Sequence, residues 1–332
     1  MDSKIKKLHE ENILVDSHLD LGAIINKYRK NGETKILNKY FLDDFKSASF
    51  NLIIAAIFIE SEFLPDMALK MALRQIEAIY EDVSECSENF FIVKDEDDLE
   101  KIETTGKIGI LMSLEGAEPI GRNLSFLNIF YRLGVRGLGL TWSRRNFVAD
   151  GSYFRNPEEG VRGGLTPFGI QVVKRAEELG IFLDVSHLND EGFEDMIKYS
   201  NKPFIASHSN ARSLNNLKRN LTDEQIRKIG EKGGVVGVNG YKTIISENVN
   251  EQNISRLCDH IEFMTNIAGD KNIGFGFDLC NKYYNTGKKY DVIDDHSEVV
   301  KITEELLNRG MDEKIVIGIL GRNFYEFLKK AL

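Results

Sequence analysis

Short apolar, β-branched runs bounded by turn residues recur along the chain at 13–18 (ILVDSH), 51–58 (NLIIAAIF), 108–114 (IGILMSL), 136–142 (RGLGLTW), 182–187 (FLDVSH), 204–208 (FIASH), 235–239 (VVGVN) and 273–278 (IGFGFD). Each has the length and punctuation of a buried strand. Between them, apolar residues fall at helical spacing over 66–82, 121–133, 167–179, 190–199, 222–232 and 252–268, and two further helices are predicted at 295–309 and 320–331. Strand alternating with helix predicts parallel strands. Two architectures carry that alternation, an open doubly wound sheet and a closed (β/α)8 barrel, and periodicity does not separate them. The strand ends do. His18 and Asp20 follow the first strand, Glu115 the third, His187 the fifth, His208 the sixth and Asp278 the eighth. In a barrel the βα loops of one face share a common mouth, whereas an open sheet would hold the first and last of these residues far apart. The expectation is an α/β chain folded as a distorted (β/α)8 TIM-type barrel, with residues 1–332 forming a single domain. No GxGxxG or GxxxxGK[ST] stands at a strand-to-helix turn, which removes the commonest dinucleotide and phosphate readings.

Composition changes that picture only by exclusion. With 42% hydrophobic and 29% charged residues, 5 prolines and no biased tract, the chain reads as folded throughout. Forty-three basic against fifty-two acidic side chains give a net charge of −9, which repels phosphate backbones and anionic lipid. No nucleic acid and no membrane partner is expected; the substrate is expected to be small. Cys86, Cys258 and Cys280 are far apart and odd in number, which argues against a disulfide framework or a Cys-based zinc site and suits a reducing cytoplasm. The opening MDSKIKKLHEENILVDSH lacks the apolar region of a signal peptide, and no later run is long enough to cross a bilayer. A cytoplasmic location is the expectation.

His18 and Asp20 stand two residues apart on a strand, so their side chains leave on one face and can reach one ion. His187 and His208 end successive strands and can hold a second. Glu115 lies between the two groups, and a carboxylate can bridge two metals. Imidazole and carboxylate without thiolate point to Zn2+ or a similar first-row divalent ion, two per chain. A lone histidine near a strand end is more often structural, but three of the six histidines close predicted strands. His9, His260 and His296 fall on helices or their edges and read as solvated. For Asp16 and Asp184, each in a strand before a histidine, two readings stand: carboxylates that orient an imidazole, or buried groups capped by backbone donors. Cys280, near Asp278, reads as a small buried hydrophobe.

The segments VDSHLDL, SLEGAEPI, LTW, GLTPFG, LDVSHLND, SHSNAR, LKRNLTDEQI and GRNF run in order from about residue 14 to residue 325. As an ordered set they resemble the landmarks of the membrane dipeptidase (renal dipeptidase) family. The resemblance implies a distorted barrel of the amidohydrolase type, a binuclear zinc centre, and hydrolysis of dipeptides with tolerance for a D-residue at the C-terminal position. It places His18 and Asp20 in the first metal site, Glu115 as the bridging carboxylate, and His187 and His208 in the second site. It further implies that Arg219 (in LKRN) grips the dipeptide carboxylate, that Asp278 handles the proton at the scissile bond, and that Tyr241 (in VNGY) lines the substrate pocket. A homodimer is implied as well. Vertebrate members are often exported or lipid-anchored, and neither signal is read here. The sequence departs from the family after the fourth strand, where Trp142 stands in place of a substrate-contacting His. Indole donates one hydrogen bond and accepts none. Trp142 reads either as a ring narrowing the mouth or as an N–H donor to the substrate.

The mechanism these readings predict is metal-assisted amide hydrolysis, with Asp278 accepting a proton and passing it to the leaving amine. Arg219 would confine the enzyme to substrates with a free terminal carboxylate. The loop 143–162 carries Arg144, Arg145, Arg155 and Arg162, which read as assisting residues or as a solvated charged loop. Two other functions stay open: hydrolysis of another small amide or lactam in a pocket reshaped by Trp142, and an inactive metal-holding binding protein. A carboxylated-lysine centre is disfavoured, because the fourth strand ends GLTW with no Lys.

Overall fold

The computed structural model describes residues 3–154 and 160–332. Among the described residues there are eight strands: β1 (Leu14–Leu19), β2 (Phe50–Phe58), β3 (Phe90–Ile92), β4 (Ile108–Glu115), β5 (Val135–Gly139), β6 (Phe182–Asp184), β7 (Val236–Val238) and β8 (Ile273–Phe275). All named pairings are parallel, in the order β6-β5-β4-β2-β1-β8-β7. The two ends of this path are joined by the segment 204–208. Asp184 bridges to Ile205 and Ala206 to Val236, both parallel, with Val185 N donating to Ile205 O at 2.8 Å and Gly237 N to Ala206 O at 2.8 Å. The sheet is therefore a barrel of eight staves, in which the predicted strand 204–208 takes part as a pair of bridges. β3, which was not predicted, is a short extra strand beside the start of β4.

The long staves are apolar along their length. Seven of nine residues in β2 and all eight in β4 are buried, as expected of parallel strands with helices on one side and the barrel interior on the other. Inside, Val15, Leu52, Ile54, Leu111, Ile205 and Val235 pack with Phe324, Phe327 and Leu328 of the C-terminal helix Asn323–Ala331. That helix closes the N-terminal end of the barrel and leaves the opposite end for chemistry. Higher in the interior the backbones crowd. A Cβ on Gly276 would stand 1.7 Å from the Ser207 carbonyl, and one on Gly237 2.0 Å from the same atom, so only glycine fits beneath the mouth.

The helices at Pro167–Leu179, Asp190–Tyr199, Asp223–Glu231 and Ile254–Ala268 lie close to their predicted spans, and side-chain caps from Thr166, Asn189, Thr222 and Asn253 start them. Among the described residues eight helices were not predicted: Ser3–Glu10, Leu21–Lys30, Ile36–Tyr40, Leu42–Ala48, Glu96–Thr104, Lys242–Ile245, Asn281–Tyr284 and Glu313–Ile317. Leu21–Lys30 carried a readable signal, since Leu21, Ile24 and Ile25 are buried at helical spacing. The solvated reading of the remaining histidines is overturned. His9, His260 and His296 are buried, and each is satisfied: His9 by Ala48 O and Thr303, His260 by Ile245 O, His296 by Asp16. The helical faces that carry them point inward, and burial of an imidazole is tolerated when both ring nitrogens or their neighbours find partners.

Candidate metal centre

His18 sits near the end of β1, where the pairing with β2 shifts register between Asp16 and Leu19. Asp20, just beyond the strand, joins His18 as the sequence reading expected, whereas Asp16, two residues before His18, faces other partners. Its Oδ1 accepts from His18 N and Phe277 N, and its Oδ2 lies 2.7 Å from His296 Nε2. Asp16 thus ties β1 to the segment after β8 and is the backbone-capped carboxylate of the two readings. His187 and Asp278, in the loops after β6 and β8, both have positive φ, 66° and 54°. Left-handed backbone in a non-glycine residue is strained and concentrates at functional sites. Here it turns both side chains to the axis: His187 O accepts from Ser152 N, and Asp278 N donates to His18 O.

Four side chains converge on one point. Glu115 Oε1 lies 3.0 Å from His187 Nε2 and 3.6 Å from His208 Nε2, while its Oε2 lies 3.5 Å from His18 Nε2. Asp20 joins His18 and Glu115 with ligand atoms within 4.8 Å of one another; Glu115, His187 and His208 form a second such group, and His18, Asp184 and His208 a third. All are buried. His18 Nε2 and Asp20 Oδ1 have no hydrogen-bond partner, a cost that buried polar atoms bear when they await a ligand. The donor set fits divalent metal.

Outer contacts fix the rings. Ser207 Oγ donates to Asp184 Oδ2, so its lone pair accepts from His208 Nδ1 at 2.7 Å, and the unprotonated ring nitrogen of His208 is Nε2, which faces His187 Nε2 at 2.8 Å. Asp184 is thereby the orienting carboxylate, acting through Ser207. Ser143 Oγ holds His187 Nδ1 at 2.7 Å. Burial, then the charge of Arg219, lowers His187 to about 3; burial and the charge of His18 lower His208. Both stay neutral at physiological pH, the form that binds metal. Burial alone would depress His18, but Glu115, Asp278 and Asp20 outweigh it and lift the ring to about 10. Asp20 is raised by burial and by Glu115. Glu115, despite burial, is held well below the usual carboxylate range by His18 and His187. A centre with this many buried carboxylates draws positive charge to itself.

A cavity of about 450 Å3 opens above, lined among others by Asp20, Glu115, Trp142, His187, Tyr241 and Asp278. Its size suits a small ligand. Burial, together with Glu115, raises Asp278 to about 6, while Asn239 Nδ2 donates to its Oδ2 at 3.1 Å. Trp142 stacks on His187 at 5.6 Å. Arg219 is not among the lining residues. It lies buried behind the wall, donating to Ser209 Oγ at 3.0 Å and to His208 O at 2.9 Å, with Nε unpartnered. Burial lowers it to about 10. Arg155 lies outside the described residues. A larger cavity of about 890 Å3, near Phe147 and Phe168, contains no residue of the cradle.

Sequence reasoning missed Ser207, Ser143 and Asn239, and it passed over Glu60 and Tyr283, which line the cavity; Cys280, read as a small buried hydrophobe near Asp278, is buried and lines the cavity too. Glu60 stands two residues beyond a predicted strand, the same kind of position that drew attention to Glu115. Ser207 gave no signal, since a hydroxyl beside a histidine is common, and Ser143 stands 44 residues from the His187 it holds.

A closed parallel barrel with imidazoles and carboxylates gathered at the carboxyl ends of its staves defines the class of barrel metallohydrolases. The chain belongs to the membrane dipeptidase family (peptidase family M19), whose model matches residues 2–331. An uncharacterized protein from the pqqA 5' region of Klebsiella pneumoniae is 30% identical over 240 residues, covering 70% of this chain and 86% of that protein. Human dipeptidase 3 is 28% identical over 96% of this chain, which spans 65% of that protein's length. Among solved structures, dipeptidase AC, a metallopeptidase, superposes with a TM-score of 0.86 at 26% identity, covering 96% of this chain and 98% of the other. A metallopeptidase from Rhodobacter sphaeroides, liganded with a phosphinate mimic of the dipeptide L-Ala-D-Ala, shares the fold with a TM-score of 0.85 at 24% identity, covering 97% and 100%. No helix among the described residues is long and apolar enough to cross a membrane.

Proposed function

We propose that the chain, acting as one catalytic domain, is a binuclear zinc dipeptidase that cleaves small dipeptides with a free C-terminal carboxylate and tolerates a D-residue there. The observation that carries this reading is that the two oxygens of Glu115 face different histidines, Oε1 toward His187 and Oε2 toward His18. His18 and Asp20 would hold one ion, His187 and His208 the other, and Glu115 both. Bound divalent metal would lower the pKa of water and polarise the amide carbonyl. The chain's own residues supply the rest. Asp278, buried and raised to about 6, is poised to take a proton near neutrality and return it to the leaving amine. Asn239 holds that carboxylate in place. Arg219, a buried cation against the back of the cradle, would attract the substrate carboxylate through its charge, acting from behind the cavity wall. Tyr241 and Trp142 would shape the pocket.

Metal analysis of the purified protein combined with a panel of L-L, L-D, N-capped and C-amidated dipeptides tests this reading. Close to two ions per chain and turnover lost on C-amidation are expected. A fully metallated protein inert on every dipeptide would leave hydrolysis of another amide or lactam, or metal-dependent binding alone, in its place.

A further inference from the structure

Arg144, in the loop after β5, reaches several parts of the cavity wall at once. It donates from Nε to Glu118 Oε1 at 2.8 Å, from Nη2 to Ile59 O at 2.7 Å and from Nη1 to Ser61 Oγ at 3.3 Å. Its guanidinium also lies over the Trp142 indole at 5.0 Å and the Phe58 ring at 5.5 Å. The pair is largely dry, with side chains 13% exposed for Arg144 and 8% for Glu118. Ile59–Ser61 follow β2, Glu118 follows β4 and Trp142 follows β5, and these staves are neighbours in the sheet. One side chain therefore ties three adjacent loops together, where loops left untied would move separately. Arg144 does not itself line the cavity, but Phe58, Ser61 and Trp142 do, with Glu60 between the first two. The neighbouring Arg145 is engaged elsewhere, paired with Asp150, and does not duplicate the contact.

We infer that Arg144 is a positioning residue that fixes the substrate-facing wall formed by Phe58, Trp142 and the Glu60–Ser61 rim, and so sets substrate affinity while leaving the chemical step to the cradle. The inference rests on the dipeptidase reading of this cavity. A buried guanidinium holds by several directed bonds and by stacking, and no lysine reproduces that fork. The wall it fixes lies against His187 through Trp142, so displacement of the indole changes the space beside the centre without removing a donor atom from it.

Trp142 is the single tryptophan of the chain, so emission excited selectively at the indole, beyond tyrosine absorption, reports this wall alone. In Arg144→Met the emission should shift to the red, acrylamide quenching should increase, and KM should rise by about tenfold or more with kcat and metal content little changed. Arg144→Lys should recover part of the emission position and little of the KM. A folded Arg144→Met with unchanged emission and KM, or one that loses metal, would overturn the inference. Should that variant fail to fold, Glu118→Gln, which keeps an acceptor but removes the charge, must move emission and KM the same way by a smaller amount; no movement overturns it equally. If the wild type turns over no dipeptide, the proposed function fails, and the fluorescence of the two Arg144 variants still decides whether the clamp exists.

Discussion

At the floor of the mouth, His18, Glu115, His187 and His208 are each no more than 7% exposed, and short neighbours hold them: Ser207 and Ser143 on the rings, backbone carbonyls and amides at the turns. At the rim, Glu60 and Trp142 stand on loops and Tyr283 on the short helix Asn281–Tyr284, and long side chains cross to hold them. Arg144 spans three loops, and the Tyr283 hydroxyl donates to Glu60. The floor is rigid because its contacts are short and dry, which suits ligands that must keep fixed positions. The rim is adjustable because a single exchange of a long side chain resets it, and substrate choice can change there without touching the chemistry.

The largest effect should come from the floor. His187→Ala with His208→Ala should remove about half of the bound metal and lower kcat by at least 10²–10³-fold, measured by metal analysis and single-turnover assay. Unchanged metal content would place the second ion elsewhere and erase the contrast. Ser207→Ala, which uncouples His208 from Asp184, should cost about 10–100-fold in metal affinity or activity, read by competition with a chelator. A rim substitution should cost less. Trp142→Phe keeps a ring over His187 and loses only the N–H, so its loss in kcat should stay below the 10²–10³-fold expected of a missing oxyanion donor; a larger loss at full metal content would make the indole N–H part of the floor. Trp142→His should raise dipeptide turnover if the indole limits it.

The smallest expected effect lies behind the rim. Asp291 is buried, accepts from Cys280 N and Asn281 N through Oδ2, and leaves Oδ1 unpartnered; burial raises it to about 8. Because the folded state holds this proton more tightly than the unfolded chain, the associated stability is fully present below the ordinary aspartate pKa and is lost as pH rises through about 8. Melting temperature should therefore fall between pH 5 and 8.5 in the wild type and fall less in Asp291→Asn, by about 2–4 °C for each kcal/mol relieved. Parallel curves for the two proteins would show that Asp291 is not the titrating group.

Most staves, most of the flanking helices and the members of the cradle are legible in the sequence, because burial between two layers forces continuous apolar runs and because chemistry sits at the ends of those runs. That is why His187 and His208 stand out, and why the ordered landmarks from VDSH to GRNF identify the family. What the sequence leaves open is decided by distance in space. The segment 204–208 reads as a strand like the others, yet it is two bridges that close the barrel. Asp16 and Asp184 look alike in sequence and part in the fold, the first tied to His296 and the second to Ser207 beneath His208. His9, His260 and His296 read as solvated because helical edges look alike from inside and outside until the packing is known. Arg219 is placed by its motif, but its position behind the wall follows from the path of the loop that carries it. The division has one cause: periodicity is a local property imposed by burial on each element, whereas the partner of a long polar side chain is chosen among loops far apart in sequence, and only the closed barrel brings those loops within reach of one another.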